Sequence, residues 1–149
     1  MRVGPTFASR LAPVSDPYEV GREAIRAFAA AVGEPDPVYR DPDAARAQGH
    51  PDVIAPPTFV VSLTMRSEVQ AAADAFGDID IADVLHRDQS VVYSRPVRAG
   101  DRLVVTSGVS SREVDGRRLL ALESDVRTTD GEHVCTTNSA VVYSGPVTR

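Results

Sequence analysis

The sequence has little of what marks several large classes of protein. It contains one cysteine, Cys135, in 149 residues, so no disulfide can form within the chain, which is typical of the reducing cytoplasm. No apolar run approaches the roughly 18 residues of a membrane-spanning helix, and the N-terminus has no signal-peptide core. We therefore expect a cytoplasmic protein. Because a reactive thiol needs polar surroundings that lower its pKa, Cys135 is interpreted as a half-buried structural residue.

The charge pattern and the missing motifs exclude further classes. The formal charge is −5, and the 16 basic residues are scattered, which argues against nucleic acid or an anionic membrane as a partner. His50, His86 and His133 lack the spacing of metal ligands, and no phosphate-binding glycine loop or G-x-S-x-G turn is present. These absences predict a protein without metal or cofactor. The length fits one domain over residues 1–149.

Three helices are predicted in the first half of the chain. The first is capped by Asp16 and stopped by Gly33, and the second is capped by Asp41 and stopped by Gly49, in each case with a proline directly after the cap.

The third and longest helix runs through IAPPTFVVSLTMRSEVQAAADAFG, with Pro56-Pro57 at its start and Gly77 at its end. Its first half is apolar on nearly every side, and its second half is polar on one side. We expect it to begin inside the protein and to emerge toward water.

The second half of the chain has the period of β-strands from about residue 84. Strands are predicted near 89–95, 102–112, 117–129 and 132–143. Asp115-Gly116 and Asp130-Gly131 suit type I′ hairpin turns, in which both residues need positive φ, so the last three strands form a meander with which the first pairs. The layout predicts an α+β fold in which one apolar helix is wrapped by an antiparallel sheet.

The segment GEPDPVYRD, residues 33–41, places acidic side chains on a proline-braced loop after the first helix. Acids and prolines are ordinary loop residues, so a plain connection is one interpretation. In the functional interpretation, Glu34 or Asp36 lies at the mouth of a cleft, where desolvation raises a carboxyl pKa far enough for a general base. Tyr39 can donate a hydrogen bond, but with a usual pKa of about 10 it is a poor proton acceptor at neutral pH.

The start of the long helix is a second candidate position. A helix N-terminus offers N–H donors to an oxyanion, but Pro56 and Pro57 have none, so Thr58 and Phe59 are the donors left there. His50 lies on the loop that leads into this helix. For these residues the structural alternative stays open, in which the prolines start a core helix and the histidine is a hydrogen-bonded loop residue.

The order GEPDPVYRDPDAA … IAPPTFVVSL … HRDQSVVYSRPVRAGDRL resembles the MaoC-like branch of the hot-dog superfamily, the (R)-specific enoyl hydratases and (3R)-hydroxyacyl-ACP dehydratases, over roughly residues 16–143. The run from Pro96 to Asp101 matches that family's P-V-x-x-G-D in full, and Pro37, Asp41 and Pro42 match its G-D-x-N-P-[IL]-H-x-D loop. The resemblance implies a hot-dog fold, in which a curved antiparallel sheet wraps a long central helix and two units pair side by side. It also implies action on acyl thioesters of coenzyme A (CoA) or acyl carrier protein (ACP).

The resemblance further implies roles for three positions. In active members an Asp and a His exchange protons with water and with the substrate carbon, and a glycine N–H polarises the thioester oxygen. Those positions hold Glu34, Tyr39 and Pro57 here. A lost general base costs about 10²–10⁴-fold in rate, and a lost oxyanion donor costs about 10²–10³-fold. The chain especially resembles the non-catalytic subunit of the mycobacterial-type heterodimeric dehydratase, an enzyme of fatty acid biosynthesis. In that enzyme a second hot-dog subunit supplies the Asp/His dyad.

Three hypotheses follow. In the first, the chain is a non-catalytic dehydratase subunit. In the second, it is a self-contained homodimeric hydratase with Glu34 or Asp36 as base and Tyr39 or His50 as donor. In the third, it is a homodimeric acyl-binding module without chemistry. The residues expected at the site are the degenerate dyad positions Glu34 and Tyr39, with Asp36, His50, Pro57 and Thr58 in contact with substrate. No motif indicates the acyl chain length or the carrier.

Overall fold

The computed structural model describes residues 10–11 and 14–145, in which helices precede a sheet. The elements are strands β1 (Arg10–Leu11) and β2 (Tyr18–Glu19), helices α1 (Arg22–Ala31), α2 (Pro42–Ala47) and α3 (Phe59–Phe76), and strands β3 (Val84–Tyr93), β4 (Arg102–Val114), β5 (Arg117–Thr128) and β6 (His133–Tyr143). Two single 3-10 turns, Pro37–Tyr39 and Ile81–Asp83, follow α1 and α3.

The strands form one antiparallel sheet in the order β1-β4-β5-β6-β3, and β2 also pairs with β4. Strands β4, β5 and β6 are the predicted meander, and among the described strands β3 pairs with β6 alone, at the edge of the sheet. Helix α3 packs on β4 and β5. The predicted α+β arrangement of a long helix against an antiparallel sheet is confirmed.

The first helix starts later than its capping pattern predicts. Asp16 is not the N-cap, because α1 begins after Gly21, and Tyr18 pairs instead with Leu103 of β4. Pairing with a strand that is distant in sequence outweighs a local capping pattern here. The predicted stop is confirmed, since Gly33 has a φ of 74°.

The second helix follows its sequence pattern. Asp41 caps α2, because its carboxylate accepts a hydrogen bond from the Asp43 N–H at 2.9 Å, and the chain leaves the helix through Gly49 at a φ of 87°.

Both predicted hairpins are confirmed, but the type I′ assignment is wrong for the second turn. Asp115 and Gly116 both have positive φ, 51° and 73°, as a type I′ turn requires. In the other connection only Gly131 has positive φ, and its N–H bonds to the Thr128 carbonyl at 2.9 Å. The four residues between β5 and β6 therefore form a longer turn. Strand β3 also begins at Val84, earlier than the predicted residue 89.

The long helix begins at Phe59, directly after the prolines, and ends before Gly77, whose φ is 83°. The predicted start inside the protein is confirmed, because Phe59 and Val60 are buried, but the second half does not leave the protein, because Ala71 and Ala72 near the end are buried too. One exposed stripe follows most of the helix. This exposed stripe consists of Thr58, Ser62, Met65 and Val69, of which Met65 and Val69 are 44% and 53% exposed.

The core consists of two apolar clusters with polar side chains between them. One cluster surrounds Phe59 and Val60 at the start of α3, and the other surrounds Ala71 and Ala72 near its end. Between them lies a buried layer, here called the polar belt, of Thr64, Ser67 and Glu68 from α3 with Ser107, Ser124, Thr137 and Ser139 from the strands. Ser107 is paired with Ser124 across β4 and β5, and Ser124 is paired with Thr137 across β5 and β6.

Cys135 is fully buried in the first cluster, not half-buried as predicted. Burial raises the pKa of its thiol to about 12, so it is protonated at neutral pH. Among the helices of residues 14–145, none has the length and apolar character needed to cross a membrane.

Candidate functional site

The loop after α1 is shaped by backbone bonds and by Asp36. The Glu34 N–H donates to the Ala29 carbonyl at 2.8 Å, which turns the chain out of the helix at Gly33. The Asp36 carboxylate accepts the Val38 N–H at 2.9 Å and so caps the 3-10 turn that carries Tyr39. Asp36 therefore has a structural role in this loop, and the half-buried carboxylate of Glu34 is the one left for chemistry.

Tyr39 is half-buried against the first apolar cluster. Burial raises the pKa of its phenol above the ordinary value, and the negative charges of Glu34 and Asp36 raise it further. The three predicted loop residues thus lie close enough to interact. A phenol in this setting keeps its proton, so Tyr39 can donate a hydrogen bond but does not accept a proton from substrate.

The start of α3 offers fewer N–H donors than the sequence suggested. The Phe59 N–H is already engaged by the Pro56 carbonyl at 2.9 Å. Thr58 is exposed at the N-cap position, and its N–H forms no hydrogen bond within the described residues. The Pro57 carbonyl accepts the hydroxyl of Tyr93 at 2.5 Å, so this point of the chain presents an acceptor that is already occupied. Thr58 is the one donor left of the two predicted.

Backbone hydrogen bonds join the sequence motifs at one place. The Ile54 N–H donates to Val38 of the acidic loop at 3.3 Å, and the Ala55 N–H donates to Val97 at 2.7 Å. The Ala99 N–H donates back to Val53 at 3.0 Å. The acidic loop, the approach to α3 and the P-V-x-x-G-D turn are therefore held together, and the site has a defined scaffold.

Asp101 fixes the P-V-x-x-G-D turn from within. Its side chain is 7% exposed and accepts two hydrogen bonds of 2.9 Å from Arg95 and one of 3.0 Å from the Arg98 N–H. Arg95 also pairs with the exposed Glu132 at 2.7 Å. The last residue of the motif thus has a structural role that its position in the sequence does not reveal.

His50 lies apart from these contacts. It is half-buried after α2, its N–H bonds to the Ala45 carbonyl at 3.0 Å, and its ring forms no hydrogen bond or ion pair with the described residues. No three His, Cys, Asp or Glu side chains within residues 14–145 are grouped to hold a metal ion. That the chemistry needs no metal stays a prediction.

A Ser–His–Asp arrangement lies directly after the C-terminal end of β3, next to Tyr93. The Ser94 hydroxyl is 2.6 Å from His133 Nδ1, and His133 Nε2 is 3.5 Å from an Asp125 oxygen. The N–H groups of both Ser94 and Arg95 point to the Val134 carbonyl, so neither is free to hold an oxyanion. This cluster joins β3, β5 and β6 and lacks the donors of an acyl-transfer site.

An apolar cavity of about 260 Å³ lies beside the second half of α3, away from the acidic loop. Its walls are Met65, Glu68, Val69 and Ala72 of α3, Ile79 and Ile81, and Val84, His86, Leu120, Leu122 and Val141 of the sheet. Glu68 is the carboxylate among these residues. Its burial could not be predicted from the sequence, because a glutamate in a helical pattern is typical of a solvated face.

Comparisons with known proteins agree with this architecture. The family model of the FAS1-like dehydratase domain region matches residues 10–137. A UPF0336 protein of Streptomyces avermitilis is 48% identical over 143 residues, which cover 95% of each chain. A UPF0336 protein of Streptomyces coelicolor is 47% identical over 137 residues, 91% of each chain.

Among solved structures, the HadBC (3R-hydroxyacyl-ACP dehydratase) complex of Mycobacterium tuberculosis is similar with a TM-score of 0.81 and 27% identity, over 93% of this chain and 98% of that one. A MaoC-like dehydratase follows with a TM-score of 0.77 and 29% identity, over 91% of this chain and 41% of that one. The ChsH1-ChsH2 complex of M. tuberculosis, with a TM-score of 0.71, 19% identity and 94% and 100% coverage, shares the fold. The sheet curled around α3 is thus the hot-dog fold, as predicted.

Proposed function

Because the chain belongs to the FAS1-like dehydratase-region family, we propose that it is a non-catalytic subunit of a dehydratase that interconverts (3R)-hydroxyacyl and enoyl thioesters. A second hot-dog subunit supplies the Asp/His dyad, and this chain supports that subunit and helps to enclose the acyl chain. The carrier is CoA or ACP, and the setting is fatty acid biosynthesis in the cytoplasm. The similarity to a chain of the HadBC complex supports this proposal.

The observation that carries the proposal is the state of Tyr39. At the position where the family has its histidine, burial and two neighbouring carboxylates raise the pKa of a phenol that is already a weak base. Proton transfer by a positioned base contributes about 10²–10⁴-fold in rate, and this site lacks such a base beside Glu34. A partner subunit that carries an intact Asp/His dyad supplies the base that this site lacks.

The surface proposed for the partner is the free edge of β3 together with the exposed stripe of α3. Strand β3 pairs with β6 on one side and with no described strand on the other. On the face of the sheet that α3 covers, Met65 and Val69 present apolar side chains beside Val84 of this strand, in the wall of one cavity. Exposed apolar surface next to an open sheet edge is typical of an interface between subunits.

Val69→Glu tests this surface. We expect the substitution to weaken the complex at least tenfold, since it introduces a charge into an apolar contact, while the melting temperature of the isolated chain stays close to that of wild type. Val114→Glu, at a 42% exposed valine beside the β4–β5 turn, is the matched control. Equal affinity of the two variants for the partner would count against the proposed surface.

The activity test uses a co-expressed hot-dog partner that has the D-x4-H motif. We expect hydration of an enoyl-CoA by the complex and none by the isolated chain, and we expect Glu34→Gln to leave the rate of the complex within a few-fold. Turnover by the isolated chain that is abolished by Glu34→Gln would refute the proposal and favour the self-contained hydratase, which the proximity of Glu34 and Tyr39 keeps as a second candidate.

Restoring the family residues tests the same reasoning in the opposite direction. The double variant Glu34→Asp/Tyr39→His regains the dyad but not the donor, because Pro57 still has no N–H. We expect the triple variant that adds Pro57→Gly to exceed the double variant by about 10²–10³-fold in hydration rate, the contribution of one oxyanion donor. Equal rates would show that the missing N–H is not what limits this site.

An acyl-binding module without chemistry is the third candidate, and the apolar cavity favours it over a purely structural protein. Acyl thioesters would then stabilise the chain thermally, and no partner would produce turnover.

A further inference from the structure

Glu68 belongs both to the polar belt and to the wall of the apolar cavity. The residue is 7% exposed, and its Oε1 accepts hydrogen bonds from the hydroxyls of Ser124 at 3.0 Å and Thr137 at 3.3 Å. No Arg or His of the described residues forms an ion pair with it. It is thus a buried carboxylate stabilised by hydroxyl groups alone.

The second oxygen of this carboxylate has a weaker supply of donors. Glu68 Oε2 has the Ser139 hydroxyl at 3.3 Å, and that hydroxyl lies closer, at 2.8 Å, to Oε1 of Gln89. A hydroxyl has one hydrogen, so Ser139 can serve one of these acceptors at a time. Oε2 therefore has the weaker hydrogen bonding of the two carboxylate oxygens.

The position of Glu68 along α3 relates it to the proposed site. Thr58 stands at the start of the helix and Glu68 comes ten residues later, which is about 15 Å along the axis. Thr58, Met65, Glu68 and Ala72 are spaced by seven, three and four residues, so they share one face of the helix. An acyl chain that leaves the helix start along this face reaches Met65 and then the carboxylate.

The environment of the Glu68 carboxylate determines which acyl chains can extend past it into the cavity. A saturated chain in the cavity covers the last exposed part of Glu68 and offers it no hydrogen bond. Removing the remaining water from a carboxylate oxygen that has only a shared, 3.3 Å hydroxyl donor costs free energy that the apolar contact does not offset. A chain that ends before Glu68 avoids this cost.

We infer that Glu68 limits the length of the acyl chain, so that the subunit admits short and medium saturated chains and disfavours long ones. The inference rests on the proposed function, because it takes the ligand to be an acyl thioester held along α3. The hydroxyl groups of the belt keep the carboxylate in place, and the cavity beyond it stays unused by saturated chains.

Calorimetric binding of butanoyl-, octanoyl- and hexadecanoyl-CoA, to the chain alone and to its complex with the catalytic subunit, tests this inference. We expect wild type to bind octanoyl-CoA more tightly than hexadecanoyl-CoA. In Glu68→Leu we expect the affinity for hexadecanoyl-CoA to rise on the order of tenfold or more, because the long chain no longer has to displace water from a carboxylate. Butanoyl-CoA, too short to reach residue 68, should bind all variants equally.

Two further variants control the test. Glu68→Gln keeps the size and removes the charge, so its gain for the long chain should be smaller and in the same direction. Glu123→Gln makes the same charge change at an exposed neighbour of Ser124 and should leave the length profile unchanged. If Glu68→Leu fails to fold, as judged by circular dichroism, Glu68→Gln alone decides the outcome.

The outcomes separate this inference from the proposed function. An unchanged ratio of hexadecanoyl to octanoyl affinity in the folded Glu68 variants would overturn the length limit and leave the proposed function intact, since octanoyl-CoA still binds. Failure of wild type and of its complex to bind any of the three thioesters would overturn both.

Discussion

Replacing Asp101 with asparagine tests how the scaffold of the site is held. The Asp101 carboxylate accepts two hydrogen bonds from Arg95 and one from the Arg98 N–H, all between 2.9 and 3.0 Å, at a side chain that is 7% exposed. Asparagine has the same shape but a single acceptor oxygen. Whichever way the amide is turned, its NH₂ group faces a donor, and the guanidinium of Arg95 loses its buried counter-charge.

The size of the effect follows from these contacts. Removing one partner of a buried ion pair costs about 3–5 kcal/mol, and we expect a value near 3 kcal/mol because Glu132 continues to pair with Arg95. For a chain of 149 residues this corresponds to a fall of about 6–12 °C in melting temperature. Glu132→Gln is the matched control, because Glu132 is the exposed partner of the same Arg95, and it should shift the melting temperature far less.

Urea denaturation gives the free energy of unfolding, and hydrogen exchange at the Ala55 N–H reports on the scaffold directly. That N–H donates to Val97, which lies in the turn that Asp101 fixes, so its protection should fall more than that of amides in β5. A loss of less than about 1 kcal/mol, the net value of an ordinary hydrogen bond, would refute the reasoning.

Three further predictions concern single positions. Cys135 should not react with a thiol reagent at pH 8 until urea unfolds the chain, since burial holds its thiol protonated; a rapid reaction of the folded protein would contradict its placement. The hydrogen bonds from Arg22 lower the pKa of Asp52, so this pair stabilises the fold above the unfolded pKa of about 3.9 and loses its effect as the pH falls through the folded value. The melting temperature of Asp52→Asn should accordingly lie below that of wild type at pH 7, the difference should shrink as the pH falls below the unfolded value, and a difference that grows toward acid would contradict the assignment. Gly116→Ala should destabilise by about 1–2 kcal/mol in urea, because its φ of 73° disfavours a side chain while no atom lies within 4 Å of the added carbon; a stability gain would falsify the turn assignment.

The parts of the fold that depend on neighbouring residues were predictable from sequence. The period of two and the Asp115-Gly116 turn gave the β4–β5 hairpin, and Gly33 gave the end of α1. The position of the acidic loop was also predictable, because its own residues shape it, as the Asp36 cap shows.

The parts that depend on distant partners were not predictable. Tyr18 leaves a good helix-start pattern to pair with Leu103, far along the chain. Glu68 looked like part of a solvated face, and its burial depends on hydroxyls that are 56 and 69 residues away. Which N–H donors are free at the start of α3 was also not predictable, because the residue type does not show whether a backbone N–H already forms a hydrogen bond.

The two edges of the sheet differ in a way that restricts how sheets can join. Along β3, the exposed charges of Arg87 and Asp88 and a register shift between His86 and Asp88 obstruct one half of the free edge. At the opposite edge, β1 and β2 already cover positions along β4. Adding copies of the sheet end to end needs a pairing edge on both sides, and on that side the described residues offer strands of only two residues, which disfavours growth into a fibre. An association through the open half of β3 stops at two subunits, because it uses the same edge on each side.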